Sequence, residues 1–356
     1  MVILHIASVN DDLCAGVSVA VPQHIISQQN IAEVGFINLT NIKIEGIKNQ
    51  FEFRSPFSVK DLESPFSKPD IVIFHEIYRP QFFQISRNLR KNNIPYIILA
   101  HGGLTKEAQK KKWLKKIVAN NTFFRSYIKN ATAFQCLSES EIKNSLPDKM
   151  KFIGTNGVFV PDRKKEKFSE SEAKIVYIGR LEIHIKGLDL MLEAIASVAD
   201  FMREKSATLN IYGPEILNWT EEINSIISEK SIGDIVKLNS AITGYEKEKV
   251  LLESDIFMQT SRTEGMPMSI LEAMSYGIPC LITKGTNMGD FAEQHNSGWV
   301  AETNAESIAE TIKKAILDRE NWKNKSFNAR NLVEKEFSWE KVSSETVKVY
   351  EDIIRE

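Results

Sequence analysis

Two acidic residues, Glu264 and Glu272, frame the segment Arg262-Thr-Glu-Gly-Met-Pro-Met-Ser-Ile-Leu-Glu272, whose glycine and proline can open a helix. Residues 255–260 ahead of it read as a short buried strand, and residues 271–274 continue as helix. A strand, a tight turn and a helix N-terminus leave backbone N–H groups unpaired and aimed above the sheet. Carboxylates beside that anion-attracting end suit a ligand both anionic and rich in hydroxyls, such as a nucleotide sugar. Upstream, Tyr177-Ile-Gly-Arg-Leu-Glu-Ile-His-Ile-Lys-Gly187 places Arg180 and Lys186 where a strand ending at Gly179 turns into a helix. The planar fork of arginine and the mobile point charge of lysine suit a diphosphate. Taken singly, each of these residues would also fit a solvated surface.

Together they form a pattern. The Glu-x7-Glu pair, the flanking Ser261-Arg-Thr-Glu-Gly265 and Glu272-Ala-Met-Ser-Tyr-Gly-Ile-Pro279, and the Gly-Arg-Leu…Lys-Gly segment resemble family 4 of the retaining glycosyltransferases, in glycosyl transferases group 1. The resemblance implies an α/β GT-B fold, two Rossmann-like doubly wound domains facing across a cleft. It also implies that Arg180 and Lys186 neutralise the departing diphosphate, a kind of stabilisation whose loss costs about 10²- to 10³-fold in rate per donor. By the same resemblance Glu264 lies near the donor sugar and Glu272 accepts from the ribose. Gly179, Gly265, Ser269 and the amides of Met266 and Met268 line the rest of the site. Where the family often has Gly-Phe-Gly this chain has Gly-Met-Pro-Met, and Pro267 lacks an amide donor.

In the first half, Asn10-Asp-Asp-Leu-Cys-Ala-Gly-Val-Ser18 follows the opening strand. The family's Gly-Gly pair is here Ala15-Gly16, which leaves Gly16 as the expected contact. His101, in Tyr96-Ile-Ile-Leu-Ala-His-Gly-Gly103, resembles the first-domain histidine that meets the donor sugar. His75 and Glu76 are weaker candidates for the acceptor side, and Asn156-Gly157 resembles a structural turn. The chain contains no Asp-x-Asp and no His/Cys run of metal-ligand spacing, so the expected reaction needs neither metal nor cofactor. The implied outcome is retention of anomeric configuration, with a nucleotide-diphosphate sugar as donor and a glycan or undecaprenyl-linked glycan as acceptor. Synthesis of a bacterial surface polysaccharide, capsule or exopolysaccharide is the expected context. A nucleotide-sugar 2-epimerase of the same fold and a non-catalytic partner of another transferase are the rival readings. The missing Gly-x-Gly-x-x-Gly disfavours a dinucleotide dehydrogenase.

Elements able to position these residues follow from the pattern of apolar runs. Runs at 2–7, 71–74, 96–100, 175–178, 208–212, 256–259 and 280–283 alternate with helix-spaced segments, as in a parallel sheet covered on both faces. A length of 356 residues favours two domains, and the charged stretch 161–172 reads as their linker. The expected division is 1–160, 161–336 and a C-terminal helix, 337–356, crossing back to the first domain with Val342, Val347, Tyr350 and Ile354 as its apolar face. Basic and acidic residues nearly cancel, 45 against 47, so charge does not point to nucleic acid. Three scattered cysteines, no basic leader and no long apolar run fit a cytoplasmic protein. One charge asymmetry stands out. Lys110, Lys111, Lys112, Lys115 and Lys116 surround Trp113 and Leu114, a composition suited to peripheral contact with an anionic membrane surface.

Overall fold

The computed structural model describes residues 1–10, 16–110, 113–146, 148–215 and 218–355, the side chain of Glu107 excepted. The chain divides into two compact units, Met1–Gly157 with Trp339–Glu356, and Val158–Ser338. In the first, seven parallel strands are ordered β3-β2-β1-β4-β5-β6-β7. They are β1 (Val2–Ala7), β2 (Glu33–Asn38), β3 (Asn49–Glu52), β4 (Ile71–His75), β5 (Tyr96–Leu99), β6 (Ala133–Cys136) and β7 (Lys151–Ile153). The second carries six parallel strands in the order β10-β9-β8-β11-β12-β13. These are β8 (Ala173–Ile178), β9 (Ala207–Tyr212), β10 (Val236–Asn239), β11 (Ile256–Gln259), β12 (Cys280–Thr283) and β13 (Gly298–Ala301).

The central strands are buried along their whole length, which is why their sequences run apolar without alternation. Separate apolar clusters fill the two faces of the first sheet: Leu4, Phe74, Phe82 and Tyr127 on one, Ile3, Val21, Ile25 and Phe36 on the other. Each sheet reverses its strand order once, between β1 and β4 and between β8 and β11. Open parallel sheets bind ligands outside the carboxyl ends of the strands at such a reversal.

Residues 161–172 do not hang free between the units. Lys165 is buried 3.3 Å from Asp255, and Phe168 packs on the core of the second unit. The C-terminal helix, Trp339–Arg355, lies on the first unit, its Val347, Tyr350 and Ile353 in the same cluster as Ile3 and Ile25. Ile353, not Ile354, completes that face; Ile354 is 37% exposed. Among the described residues no helix is long and apolar enough to cross a membrane.

Candidate functional site

The strands flanking the reversal of the second sheet, β8 and β11, end at the predicted residues. Tyr177, buried near the end of β8, donates its phenol proton to the Arg180 carbonyl at 2.8 Å. Its pKa stands well above the usual phenol range, through burial first and the charge of Glu264 second. Arg180 is exposed, with Glu182 3.7 Å away.

Lys186 closes a one-turn helix, Ile183–Lys186, and Gly187 follows at φ 66° in the left-handed region. A Cβ at Gly187 would fall 2.1 Å from the Thr260 carbonyl oxygen, while the Thr260 hydroxyl donates to the Gly187 carbonyl at 2.8 Å. Only glycine lets the two loops meet so closely. The contact brings the Lys186 ammonium to Glu264 at 2.5 Å, with 12% and 14% of the two side chains exposed. Ser261 Oγ (2.8 Å) and Gln259 Nε2 (3.0 Å) donate to the same oxygen, Glu264 Oε1. Gln259 is oriented in turn by Ser269, whose hydroxyl donates to Oε1 of the amide at 2.6 Å. Below the loop, the Gly285 carbonyl takes the Glu264 N–H at 3.0 Å, and Asn287 Nδ2 donates to the carbonyls of Glu264 and Gly265.

Met268–Ser275 is the helix that Pro267 opens, and the Pro267 carbonyl accepts the Ile270 N–H at 3.1 Å. The first-turn amides of Met268 and Ser269 have no helical carbonyl within reach. Met266 is buried, and Gly265, Met268 and Ser269 are partly exposed. Glu272, one turn in, is paired with Lys247 of helix Gly244–Glu253. Arg262 faces away from these groups: it grips Asp189 through two bonds of 2.7 and 2.8 Å. Burial works upward on the Asp189 carboxyl, but the Arg262 hydrogen bonds outweigh it and hold the group below its ordinary range.

Sequence reasoning passed over Lys247, Gln259, Ser261 and Asn287. A polar Gln-Thr-Ser run closing a buried strand is a signal it had available. Lys247 and Asn287 reach the site from other elements and leave no local trace.

In the first unit, His101 follows β5 in the left-handed region at φ 47°, and Gly102 at φ 77° continues the turn. Buried Glu141 holds that turn, accepting from the N–H groups of Gly102 (2.8 Å) and Leu137 (2.7 Å). Burial raises its carboxyl pKa. His101 Nε2 lies 3.2 Å from His75 Nδ1. His75 is fully buried and lines no surface, contrary to the sequence expectation, because it ends a central strand. Glu76 pairs with Arg79 at 2.7 Å. Gly16 is exposed at the start of helix Gly16–Gln28, and a Cβ there would meet nothing within 4 Å. Ala15, Lys111 and Lys112 lie outside the described residues. Among those described, no group of three or more His, Cys, Asp or Glu side chains is placed to hold a metal ion.

Residues 159–332 match the family model "Glycosyl transferases group 1". The chain is 26% identical over 180 residues to WcaL of Escherichia coli K12, named for colanic acid biosynthesis, covering 48% of this chain and 43% of that protein. It is 23% identical over 197 residues to the N-acetyl-α-D-glucosaminyl L-malate synthase of Bacillus anthracis, covering 54% of this chain and 49% of that one. The matched segments thus span less than half the length of these relatives. In structure the chain resembles Anabaena HepE, solved with UDP and glucose, at a TM-score of 0.74 and 16% identity over 99% of this chain and 100% of that one. At that identity the likeness is one of fold.

Proposed function

We propose that this chain, which matches the glycosyl transferases group 1 over residues 159–332 and has the GT-B fold, transfers a sugar, with retention, from a nucleotide diphosphate to a glycan or lipid-linked glycan acceptor. The observation that supports this best is the Lys186–Glu264 pair at the β8/β11 reversal, a cation and an acid already assembled. We assign Lys186 and exposed Arg180 to the diphosphate, Arg180 as the first group an incoming anion meets. Three donors converge on Glu264 Oε1, so Oε2 is the oxygen assigned to the sugar hydroxyls. The amides of Met268 and Ser269 serve the phosphate or sugar oxygens, and Glu272 the ribose, where Lys247 orients its carboxylate. On resemblance Gly16 is assigned to the phosphate or the acceptor and His101 to the donor sugar, and a metal-independent course rests on the same ground.

The deciding experiment incubates the purified protein with a panel of nucleotide sugars, with and without glycan acceptors, and measures nucleotide release. Acceptor-dependent release that survives EDTA is expected. A free epimerised nucleotide sugar formed without acceptor would establish the epimerase instead, and no turnover with any donor would favour the non-catalytic partner.

A second feature bears on the acceptor. Helices Lys106–Lys110 and Trp113–Asn121 leave Trp113, Leu114, Ile117 and Val118 at least half exposed. A cavity of about 680 Å³ beside them has Trp113, Ile117 and Ile128 in its walls, with Lys106, Lys110 and Arg125. Apolar walls and basic groups fit an anionic amphiphile or an anionic lipid surface. Lys116 is the exception, turned inward onto the Tyr78 ring and the Ala108 carbonyl. Co-sedimentation with phosphatidylglycerol vesicles but not phosphatidylcholine vesicles is expected; equal recovery with both would remove the membrane reading.

A further inference from the structure

Four of the six histidines, His5, His24, His75 and His101, belong to one hydrogen-bonded network in the first unit, the first three buried and His101 partly exposed. Taken alone, a chain of imidazoles and amides runs equally well in either direction. Here one end is anchored. The Gly154 carbonyl only accepts, so Gln135 in β6 must turn Nε2 toward it, at 2.8 Å, and Oε1 away. Tyr350 of the C-terminal helix lies 2.6 Å from that Oε1 and must donate its O–H. The Tyr350 oxygen is left to accept from Gln28, its other hydrogen-bond partner, which therefore presents N–H to the phenol.

Gln28 Oε1 then faces His5 Nε2 at 2.9 Å and requires a proton there. Its Nε2 also lies 2.8 Å from His24 Nε2 and makes that nitrogen an acceptor. A neutral imidazole has one donor and one acceptor. His5 Nδ1 must accept from His75 Nε2 at 2.9 Å, and His75 Nδ1 from His101 Nε2 at 3.2 Å. Extra protons are excluded by the same logic, since a second proton on His75 would set N–H against N–H. Burial acts in the same direction, pushing His5 and His101 down to about 4 and His24 and His75 well below the usual imidazole value.

We infer that Tyr350 and Gln28 are positioning residues that set His101 as its Nε2–H tautomer, leaving Nδ1 an uncharged acceptor for a ligand hydroxyl. Such a nitrogen takes a hydrogen bond from O–H and offers nothing to a phosphate oxygen, so it recognises the sugar end of a donor. The tautomer follows from hydrogen-bond direction alone; its use on a donor sugar rests on the function proposed above.

Long-range proton–nitrogen correlation spectra of the ¹⁵N-histidine-labelled protein at pH 7 test it. His5, His75 and His101 are expected as Nε2–H tautomers and His24 as Nδ1–H, with a His101→Gln variant assigning its signal. Tyr350→Phe keeps the ring and removes the one acceptor that fixes the Gln28 amide, so His101 should become a mixture of tautomers. An Nδ1–H form at wild-type His101 overturns the inference whether or not Tyr350→Phe folds. So does a Tyr350→Phe spectrum with His101 unchanged. A tautomer shift in that variant with an unchanged KM for the donor would uphold the wiring and overturn the sugar contact.

Discussion

Lys186 and Glu264 are paired, so on the proposed reading an arriving diphosphate would compete for a cation already engaged. Glu264 tolerates that loss because Ser261 and Gln259 remain on the same oxygen. Lys186→Ala is therefore expected to fold and to lower turnover at least about tenfold, the scale of one lost charge-stabilising donor. Glu264→Ala should do likewise, and the double variant should fall short of the product of the two effects because the residues act as a pair. Steady-state rates with the donor found in the panel check all three. The histidine network makes a separate prediction about acid. Its pKa values are lowered in the folded protein, so below the ordinary value of 6.5 the unfolded chain binds more protons and stability falls. The loss begins near pH 6.5 and saturates near pH 4, at a cost of about 2 kcal/mol by pH 5 for a ring such as His5. Urea midpoints at pH 7 and pH 5 measure it, and equal midpoints would contradict the buried neutral network. Arg180, Lys186 and Glu264 were legible because they are polar residues at strand-to-helix turns, and Glu272 because it completes the Glu-x7-Glu spacing from within the following helix. His5 was not: within Val2–Ala7 it reads as one more member of a buried strand, and its partners lie on other elements.

At the level of elements, the loops after β8 and β11 depend on close backbone approach more than on side chains. Gly187→Ala would drive a methyl group into the Thr260 carbonyl and add the left-handed penalty of about 1–2 kcal/mol. The expected result is a lower thermal midpoint together with lost turnover, because the Lys186 loop must move away from Glu264. A variant as stable and active as the parent would show that the two loops are not held this way. Central strands were recognisable from sequence: β1, β4, β5, β8, β11 and β12 are short apolar runs bounded by polar residues. Short outer strands such as β3 (Asn49–Glu52) and β10 (Val236–Asn239) were missed, since exposure on one side brings in Asn, Gln, Glu and Lys. Helix phase was legible to within one residue: the apolar face of Trp339–Arg355 ends at Ile353, three after Tyr350, where the sequence reading chose Ile354.

On the scale of the whole molecule, each sheet carries its own core, yet the first unit takes part of its core from the far end of the chain. Trp339 stacks on His24 with ring centroids 5.5 Å apart and donates its indole N–H to Gln23 at 3.0 Å. Truncation after Ser338 should therefore destabilise the first unit, exposing Ile3, Ile25 and the histidine network, whereas β8–β13 keep their core. Hydrogen exchange compared between full-length and truncated protein reads this directly, and unchanged protection in β1 and β4 would contradict it. Alternating strands and helices made the doubly wound α/β plan legible, but pairings such as Ser27 with Ser343 or Gln135 with Tyr350 join residues too far apart for any local pattern to register. The returning helix also orders events at the ribosome. When residues 1–157 leave the exit tunnel, their sheet lacks the lid that shields one face, and it stays uncovered until the entire second unit has been made. Emergence of Trp339–Arg355, rather than completion of its own strands, is then the moment the N-terminal half can close its interior.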